Sequence, residues 1–137
     1  MAMPSKYELL FNAAGGDNAA FDTGQLDTRE FDGVMYRVVL TGGVMPAGTT
    51  SALNGYDLDK TTVVLLQGGT PTTGVTDYAG SLGPGCTYAR NAAPVVTGPV
   101  PAWLKITTPA LGVGISVRII VYGRRNHRGP DVSINAD

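Results

Sequence analysis

Residues 103–125, WLKITTPALGVGISVRIIVYGRR, alternate in side-chain character with a period of two on both sides of a turn-forming PALGVG. Successive side chains of a β-strand point to opposite faces of a sheet, so this period predicts strands rather than helices. We expect two strands joined as a hairpin. The second strand would place four aliphatic side chains on one buried face: Ile115, Val117, Ile119 and Val121.

Two earlier segments also have the composition of strands. FDGVMYRVVLTGG alternates in the same way and predicts a strand that ends at a glycine pair. Its buried face would carry Val34, Tyr36, Val38 and Leu40. In KTTVVLLQGG, residues 61–67 are β-branched at the start and apolar on both faces, which predicts a central strand covered on two sides.

The segments around these strands are rich in turn-forming residues. Asn54 and Gly55 form a dipeptide typical of a hairpin turn, beside a short strand expected near Tyr56 and Leu58. The stretch from residue 68 to residue 99 is rich in Gly, Pro, Thr and Ala and is long for a single loop. We therefore expect short strands within it.

Glycine and proline account for 19 and 9 of the 137 residues, as expected for short strands joined by turns. The sequence thus predicts an all-β fold, an antiparallel β-sandwich of jelly-roll-like type, with a small barrel as the alternative. We divide the chain into an extended N-terminal arm (1–20), a β-sandwich domain (21–125) and a short C-terminal tail (126–137). Within the arm, YELLFNAA also has helical spacing, which leaves a short helix as an open alternative.

The charge of the chain argues against several classes of partner. Charged residues are 15% of the sequence, the net charge is −1, and the one dense basic run is RRNHR. A nucleic-acid partner would require a basic surface, so none is expected. No stretch of about 18 apolar residues is present, so we expect no membrane partner and synthesis in the host cytoplasm.

The residues that carry most enzyme chemistry are scarce. His127 is the only histidine and lies among arginines in the predicted tail, and Cys86 is the only cysteine. Neither has an evident catalytic partner, so we predict no catalytic residue and no enzyme. Asp57 and Asp59 share a face but lack calcium-loop spacing, and the glycine-rich segments lack a phosphate-binding motif. We expect neither a metal nor a cofactor.

The order of three segments carries a family resemblance. FDTGQLDTREFDGVMYRVVLTGG, TTVVLLQGG and PAWLKITTPALGVGISVRIIVYGRR resemble, in that order, the small β-sandwich modules of tailed-bacteriophage virions. Those modules commonly begin with a "tG-lDt-f" pattern and close with a proline, an aromatic residue and a "vyGrr" strand end. The similarity extends over about residues 21–125. No capsid-contact motif can be matched residue by residue.

The resemblance implies a structural protein on the capsid surface of the virion, most similar to a capsid decoration (cement) protein. Such a protein would bind the major capsid protein and form a homotrimer. We expect the arm to lie across a neighbouring subunit, with four apolar anchors: Tyr7, Leu9, Leu10 and Phe11.

Two other functions stay open. One is a tail- or fibre-associated phage adaptor, present in few copies in each particle. The other is a carbohydrate-binding module, in which an exposed aromatic platform would be formed by Trp103, Tyr56, Tyr78 and Tyr88. A core position for Trp103 is the competing interpretation, because this residue begins an alternating strand.

Overall fold

The computed structural model describes residues 7–86, 88–91 and 99–125. These residues form nine β-strands and include no helix. The strands are β1 (Tyr7–Ala14), β2 (Phe21–Asp22), β3 (Leu26–Asp27), β4 (Phe31–Thr41), β5 (Ser51–Tyr56), β6 (Val63–Gly69), β7 (Asp77–Leu82), β8 (Trp103–Thr108) and β9 (Ser116–Arg125). The prediction of an all-β chain is therefore confirmed.

The strands form two antiparallel sheets. The first sheet has the order β1-β9-β4-β7, and the second has the order β2-β8-β5-β6, with β3 also paired to β8. Buried side chains from both sheets belong to one hydrophobic core. The two sheets thus pack in a sandwich-like arrangement around a single layer of apolar side chains.

The inward faces of the long strands follow the predicted alternation. In β4, all four residues predicted for the buried face are at most 5% exposed. In β9, Val117, Ile119 and Val121 are at most 2% exposed, whereas Ile115 lies before the strand and is only partly buried. In β8, Leu104 and Ile106 are buried by the same alternation. The period of two therefore identified most of the core correctly.

The prediction that residues 103–125 form a hairpin is wrong. β8 belongs to the second sheet and β9 to the first, so the chain crosses from one sheet to the other between them. Gly112 and Gly114 adopt positive φ angles in this crossing, which suits glycine. The side chains of Asn18 and Asp17 accept hydrogen bonds from the amides of these two glycines, at 3.0 and 2.6 Å. The buried faces of β8 and β9 consequently meet across the core instead of lying side by side.

The predicted central position of residues 61–67 is also wrong. Strand β6 lies at an edge of the second sheet. Its residues Val63, Val64 and Leu66 are 51%, 55% and 74% exposed. The apolar residues on its two faces therefore do not reflect burial on two sides, although Leu65 packs against the core.

The hairpin turn of this region is displaced from the predicted dipeptide. Asn54 and Gly55 lie inside β5, and the chain reverses at residues 57–62. A side chain at Gly55 would come within 2.7 Å of Pro101 and 2.9 Å of Leu65. Close packing around position 55, rather than a turn conformation, therefore explains why a glycine occupies it.

Part of the predicted N-terminal arm belongs to the first sheet. Strand β1 pairs with β9 from Tyr7, opposite Arg124, to Ala14, opposite Arg118, so the helical alternative for this segment is wrong. Leu10 and Phe11 pack against the core, with the ring centroids of Phe11 and Phe21 6.1 Å apart. The sheet thus begins before residue 21. Residues 1–6 and the predicted tail with His127 lie outside the described residues.

Deleting residues 1–20 is expected to destabilise the fold, because it removes a whole strand together with the packing of Leu10 and Phe11. The free energy of unfolding should fall by about 2 kcal/mol or more, because these side chains bury apolar area in the core. Urea denaturation would measure the loss, with a deletion of residues 1–6 as the control that retains β1. Equal stability of the two truncated proteins would contradict this assignment.

Val117→Asp is expected to prevent folding, because an unpaired carboxylate would enter the core. That cost is comparable with the total stability of a small domain, about 5 to 15 kcal/mol. The matched control is Ser116→Asp, whose side chain lies on the opposite, partly exposed face of the same strand. Soluble expression and cooperative thermal unfolding of Val117→Asp would show that the inward face is assigned incorrectly.

Candidate interaction surfaces

The acidic residues considered as metal ligands belong to the β5–β6 turn. Asp59 accepts hydrogen bonds from the backbone amides of Thr61 and Thr62, at 2.9 and 2.8 Å, and one from the Thr62 hydroxyl. The bond from the Thr62 hydroxyl is the largest of the effects that lower the pKa of Asp59 to about 2. Asp57 accepts from the amide of Leu58. No cluster of three metal-binding side chains occurs among the described residues.

Most of the exposed apolar side chains of the first sheet lie in one band on its outer face. Leu9 lies opposite Tyr122 in the pairing of β1 with β9, and Tyr122 lies opposite Met35 in the pairing of β9 with β4. Tyr88 lines a depression of about 140 Å³ together with Met35 and Tyr122. We call Leu9, Met35, Tyr88 and Tyr122 the tyrosine stripe. It crosses the sheet perpendicular to the strands, and Arg37 also lines the depression.

Tyr88 is held on this face by hydrogen bonds to the edge strand β7. Its carbonyl oxygen accepts from the hydroxyl of Ser81 at 2.9 Å. Two residues later, the backbone of Arg90 forms a two-bond antiparallel bridge with Ala79, at 3.0 and 3.1 Å. Residues 88–91 therefore run beside β7 and are joined to it by one isolated β-bridge.

A buried carboxylate anchors the end of this segment. Asp77 is 5% exposed, and its side chain accepts from Arg37 at 2.7 Å and from Arg90 at 3.2 Å. Asn91 donates to the backbone oxygen of Asp77 at 2.6 Å. Burial would raise the pKa of Asp77, but the hydrogen bonds from Arg37 and Arg90 outweigh burial and hold the pKa below its usual value.

A second apolar surface lies on the β5–β6 hairpin. We call Leu58, Val63, Val64 and Leu66 the hairpin patch. Each of these side chains is more than half exposed, and they occupy the turn and the edge strand that follows it. The hairpin patch belongs to the second sheet and the tyrosine stripe to the first, so the two are separate surfaces.

The four aromatic residues of the carbohydrate hypothesis do not form one platform. Tyr78 is 1% exposed and lies in the core, and Tyr88 lies on the first sheet. Tyr56 and Trp103 are neighbours on the second sheet. The Trp103 ring is covered by the ammonium of Lys60, 4.2 Å from its centroid, and by the guanidinium of Arg29, at 4.9 Å.

Tyr78 instead reaches across the core toward two hydroxyl groups of the second sheet. Burial raises the pKa of its phenol, and the neighbouring hydroxyls of Ser51 and Thr108 partly offset that rise. All three oxygens are buried without a hydrogen bond of ordinary geometry in the structure. These three hydroxyl groups lie between the sheets and are not accessible to a ligand at the surface.

The structure separates the four predicted anchors into two pairs. Tyr7 and Leu9 are 47% and 53% exposed, whereas Leu10 and Phe11 contribute to the core. Tyr122 and Met35 were not predicted from the sequence as binding residues, and Tyr88 was predicted only as part of a carbohydrate-binding platform. The alternation did place Tyr122 and Met35 opposite the buried faces of their strands, but it could not show that β1, β9 and β4 are neighbours.

Comparison with known proteins identifies no relative: no family model, curated protein or solved structure matches the chain. Within the described residues, no helix is long and apolar enough to cross a membrane. Cys86 is half-buried, and its amide donates to the carbonyl oxygen of Gly83 at 3.1 Å. Surface geometry is therefore the main structural evidence about function.

Asp77→Asn is expected to lower the free energy of unfolding at pH 7 by about 1 to 3 kcal/mol, since Arg37 and Arg90 are themselves half exposed. The folded-state pKa of Asp77 lies below its unfolded-state value, so its ionised form stabilises the fold above about pH 4. This contribution disappears as the pH falls through the folded-state pKa.

Urea denaturation between about pH 2.5 and pH 7 would therefore show a difference between wild type and Asp77→Asn that shrinks toward acid. Glu30→Gln is the control, because Glu30 is 75% exposed in its ion pair with Arg125 and should contribute little. A difference that is constant over this pH range would contradict an electrostatic role for Asp77.

Proposed function

We propose that this chain is a structural, non-enzymatic virion protein that decorates the capsid surface and binds the major capsid protein as a homotrimer. The observation that carries the proposal is the tyrosine stripe, an exposed apolar band on a small domain of two sheets. The ordered resemblance of three sequence segments to phage β-sandwich modules supports the same function.

The strand order supports a jelly-roll type of sandwich as part of this proposal. The first and last of the described strands, β1 and β9, lie side by side, and the chain passes repeatedly between the two sheets. Double-sheet jelly rolls are common in viral capsid proteins and in lectins. Because a fold alone does not determine a function, the surface of the domain provides the stronger support for this proposal.

The composition of the stripe is typical of the centre of a protein interface. Tyrosine and methionine are enriched at interface centres, and charged residues are depleted there. Tyr122 and Leu9 have 40% and 53% of their surface exposed and would be covered by a partner. Arg37, which also lines the depression, supplies a polar group beside the stripe.

Stabilisation of a shell would follow from mass action. A module that contacts two shell subunits binds the assembled shell and not the separated subunits, so each bound copy favours assembly. A trimer would engage several such contacts at once, and its apparent affinity would exceed that of a single contact. Modest apolar surfaces on a small domain are sufficient for this function.

The copy number of the chain in purified particles distinguishes the proposed function from a tail adaptor. A decoration protein is present in hundreds of copies and an adaptor in few, which quantitative mass spectrometry of virions would measure. A count of a few copies, or absence from particles, would contradict capsid decoration.

A carbohydrate-binding function is the second candidate, favoured by the depression between Tyr88 and Tyr122. Aromatic side chains on either side of a shallow depression are suited to stacking against sugar rings. A glycan array with the purified chain would identify such binding. The variants Tyr88→Ala and Tyr122→Ala would abolish it if this surface were responsible.

Tyr122→Asp and Leu9→Asp are expected to weaken binding to empty heads at least about tenfold, because each places a charge in the proposed interface centre. Co-sedimentation with heads assembled from the major capsid protein would measure the loss, and circular dichroism would verify folding. Val113→Asp is the matched control, since Val113 is 87% exposed in the turn between β8 and β9 and does not line the depression of the stripe. Equal binding by all three variants would exclude the stripe as the contact surface.

A further inference from the structure

The exposed apolar side chains of the described residues are concentrated on two surfaces. Seven of the ten large apolar side chains that are exposed belong to the tyrosine stripe or to the hairpin patch. The stripe lies on the outer face of the first sheet, and the patch belongs to the second sheet and the turn before β6. Because the two surfaces lie on different sheets of the sandwich, one copy cannot cover its own stripe with its own patch.

The hairpin patch presents aliphatic side chains that stand out from the surface. Leu66 lies opposite Asn54, on the face of the second sheet that points away from the core. An irregularity in the pairing of β5 with β6 leaves Val64 without a directly opposite residue, and its side chain is more than half exposed. Leu66 and Leu58 are 74% and 69% exposed. Either leucine can therefore enter a depression on another molecule.

The tyrosine stripe has the complementary shape. The depression lined by Met35, Tyr88 and Tyr122 has a volume of about 140 Å³. Because a cavity of about 150 Å³ accommodates a benzene-sized group, this depression can receive one leucine side chain. Aromatic rings supply large apolar contact areas, and a methionine side chain adapts its shape to the group that it contacts. The walls of the depression are therefore suited to an aliphatic side chain.

The charges beside the two surfaces have opposite signs. Two carboxylates and one ammonium give the turn before β6 a net charge of −1, from the exposed side chains of Asp57, Asp59 and Lys60. Beside the depression, Arg37 and Arg90 share the single carboxylate of Asp77, which leaves one positive charge in excess. Complementary charges of this kind orient two surfaces and disfavour the contact of like surfaces.

We propose that the hairpin patch of one copy docks on the tyrosine stripe of a neighbouring copy. A leucine of the patch fills the depression, and the acidic turn lies beside Arg37. The inference rests on the homotrimer of the proposed function and names the contact that builds it. A contact of stripe with stripe would bring two positively charged regions together and leave both depressions unfilled, so shape and charge both favour the unlike pair.

This contact joins two different surfaces, so each copy uses both its stripe and its patch. Such contacts repeat from copy to copy and end when a ring closes. A homotrimer is one such ring, in which every stripe and every patch is covered. The weaker head binding expected for Tyr122→Asp then follows from the loss of the multivalent trimer.

Mixing two association-defective variants tests the contact with the purified chain alone. Tyr122→Asp disrupts the stripe and retains the patch, whereas Leu66→Asp disrupts the patch and retains the stripe. Each variant alone should sediment at the monomer mass. An equal mixture should form a dimer, because the intact patch of one variant docks on the intact stripe of the other. Assembly should stop there, since the two surfaces that remain are both defective.

Sedimentation velocity and native mass spectrometry would measure these masses over a concentration series that extends well above the range in which wild type associates. Val113→Asp is the matched control, because Val113 is 87% exposed and belongs to neither surface, so this variant should keep the wild-type mass. Leu9→Asp and Leu58→Asp form a second pair on the same two surfaces. They replace the first pair if circular dichroism shows that one of its members is unfolded.

The inference is overturned if wild type stays monomeric at every concentration, if a folded variant of either surface keeps the wild-type mass, or if the mixture contains only monomers. A monomeric wild type that is nevertheless present in hundreds of copies in virions would contradict this contact and leave capsid decoration standing. Restoration of a dimer by mixing, for a chain that is absent from particles, would support the contact and contradict capsid decoration.

Discussion

A single layer of aliphatic side chains between two sheets holds this domain together. Strands β4 and β9 supply one side of the layer and β8 and β5 the other, and the deepest residues have no measurable exposure. The chain has one cysteine, so no disulfide within it can support the packing. Each surface described above depends on that layer, because it sets which face of every strand points outward.

Alternation in the sequence predicted which faces are buried but not which strands are neighbours. Val34 and Val38 in β4, and Val117 and Ile119 in β9, were assigned to the core correctly because a period of two is a property of one strand. The pairing of β8 and β9 was predicted incorrectly, because two strands with buried faces look alike whether they lie side by side or across the core. The position of β6 was predicted incorrectly for a related reason: an apolar edge strand and a central strand can have the same composition.

The candidate surfaces were less predictable than the core. Tyr7 and Leu9 were selected from the sequence as exposed anchors and are exposed, but Leu10 and Phe11 fold inward because β1 joins the sheet. The tyrosine stripe combines residues from three strands and from the segment after β7, so it exists only through the register of the sheet. The anchoring of residues 88–91 by Asp77 likewise depends on Arg37, which is 40 positions away in the sequence. No local pattern contains that information.

The position of β9 has a consequence for how the protein is made. This strand, the last of the nine described, lies inside the first sheet, between β1 and β4, and supplies three of the most deeply buried side chains. The ribosome releases β9 after the other eight described strands, so β1 and one edge of β4 lack their partner until then. The nascent chain therefore cannot complete its core before β9 has been synthesised, and until then these unpaired strand edges are available to chaperones.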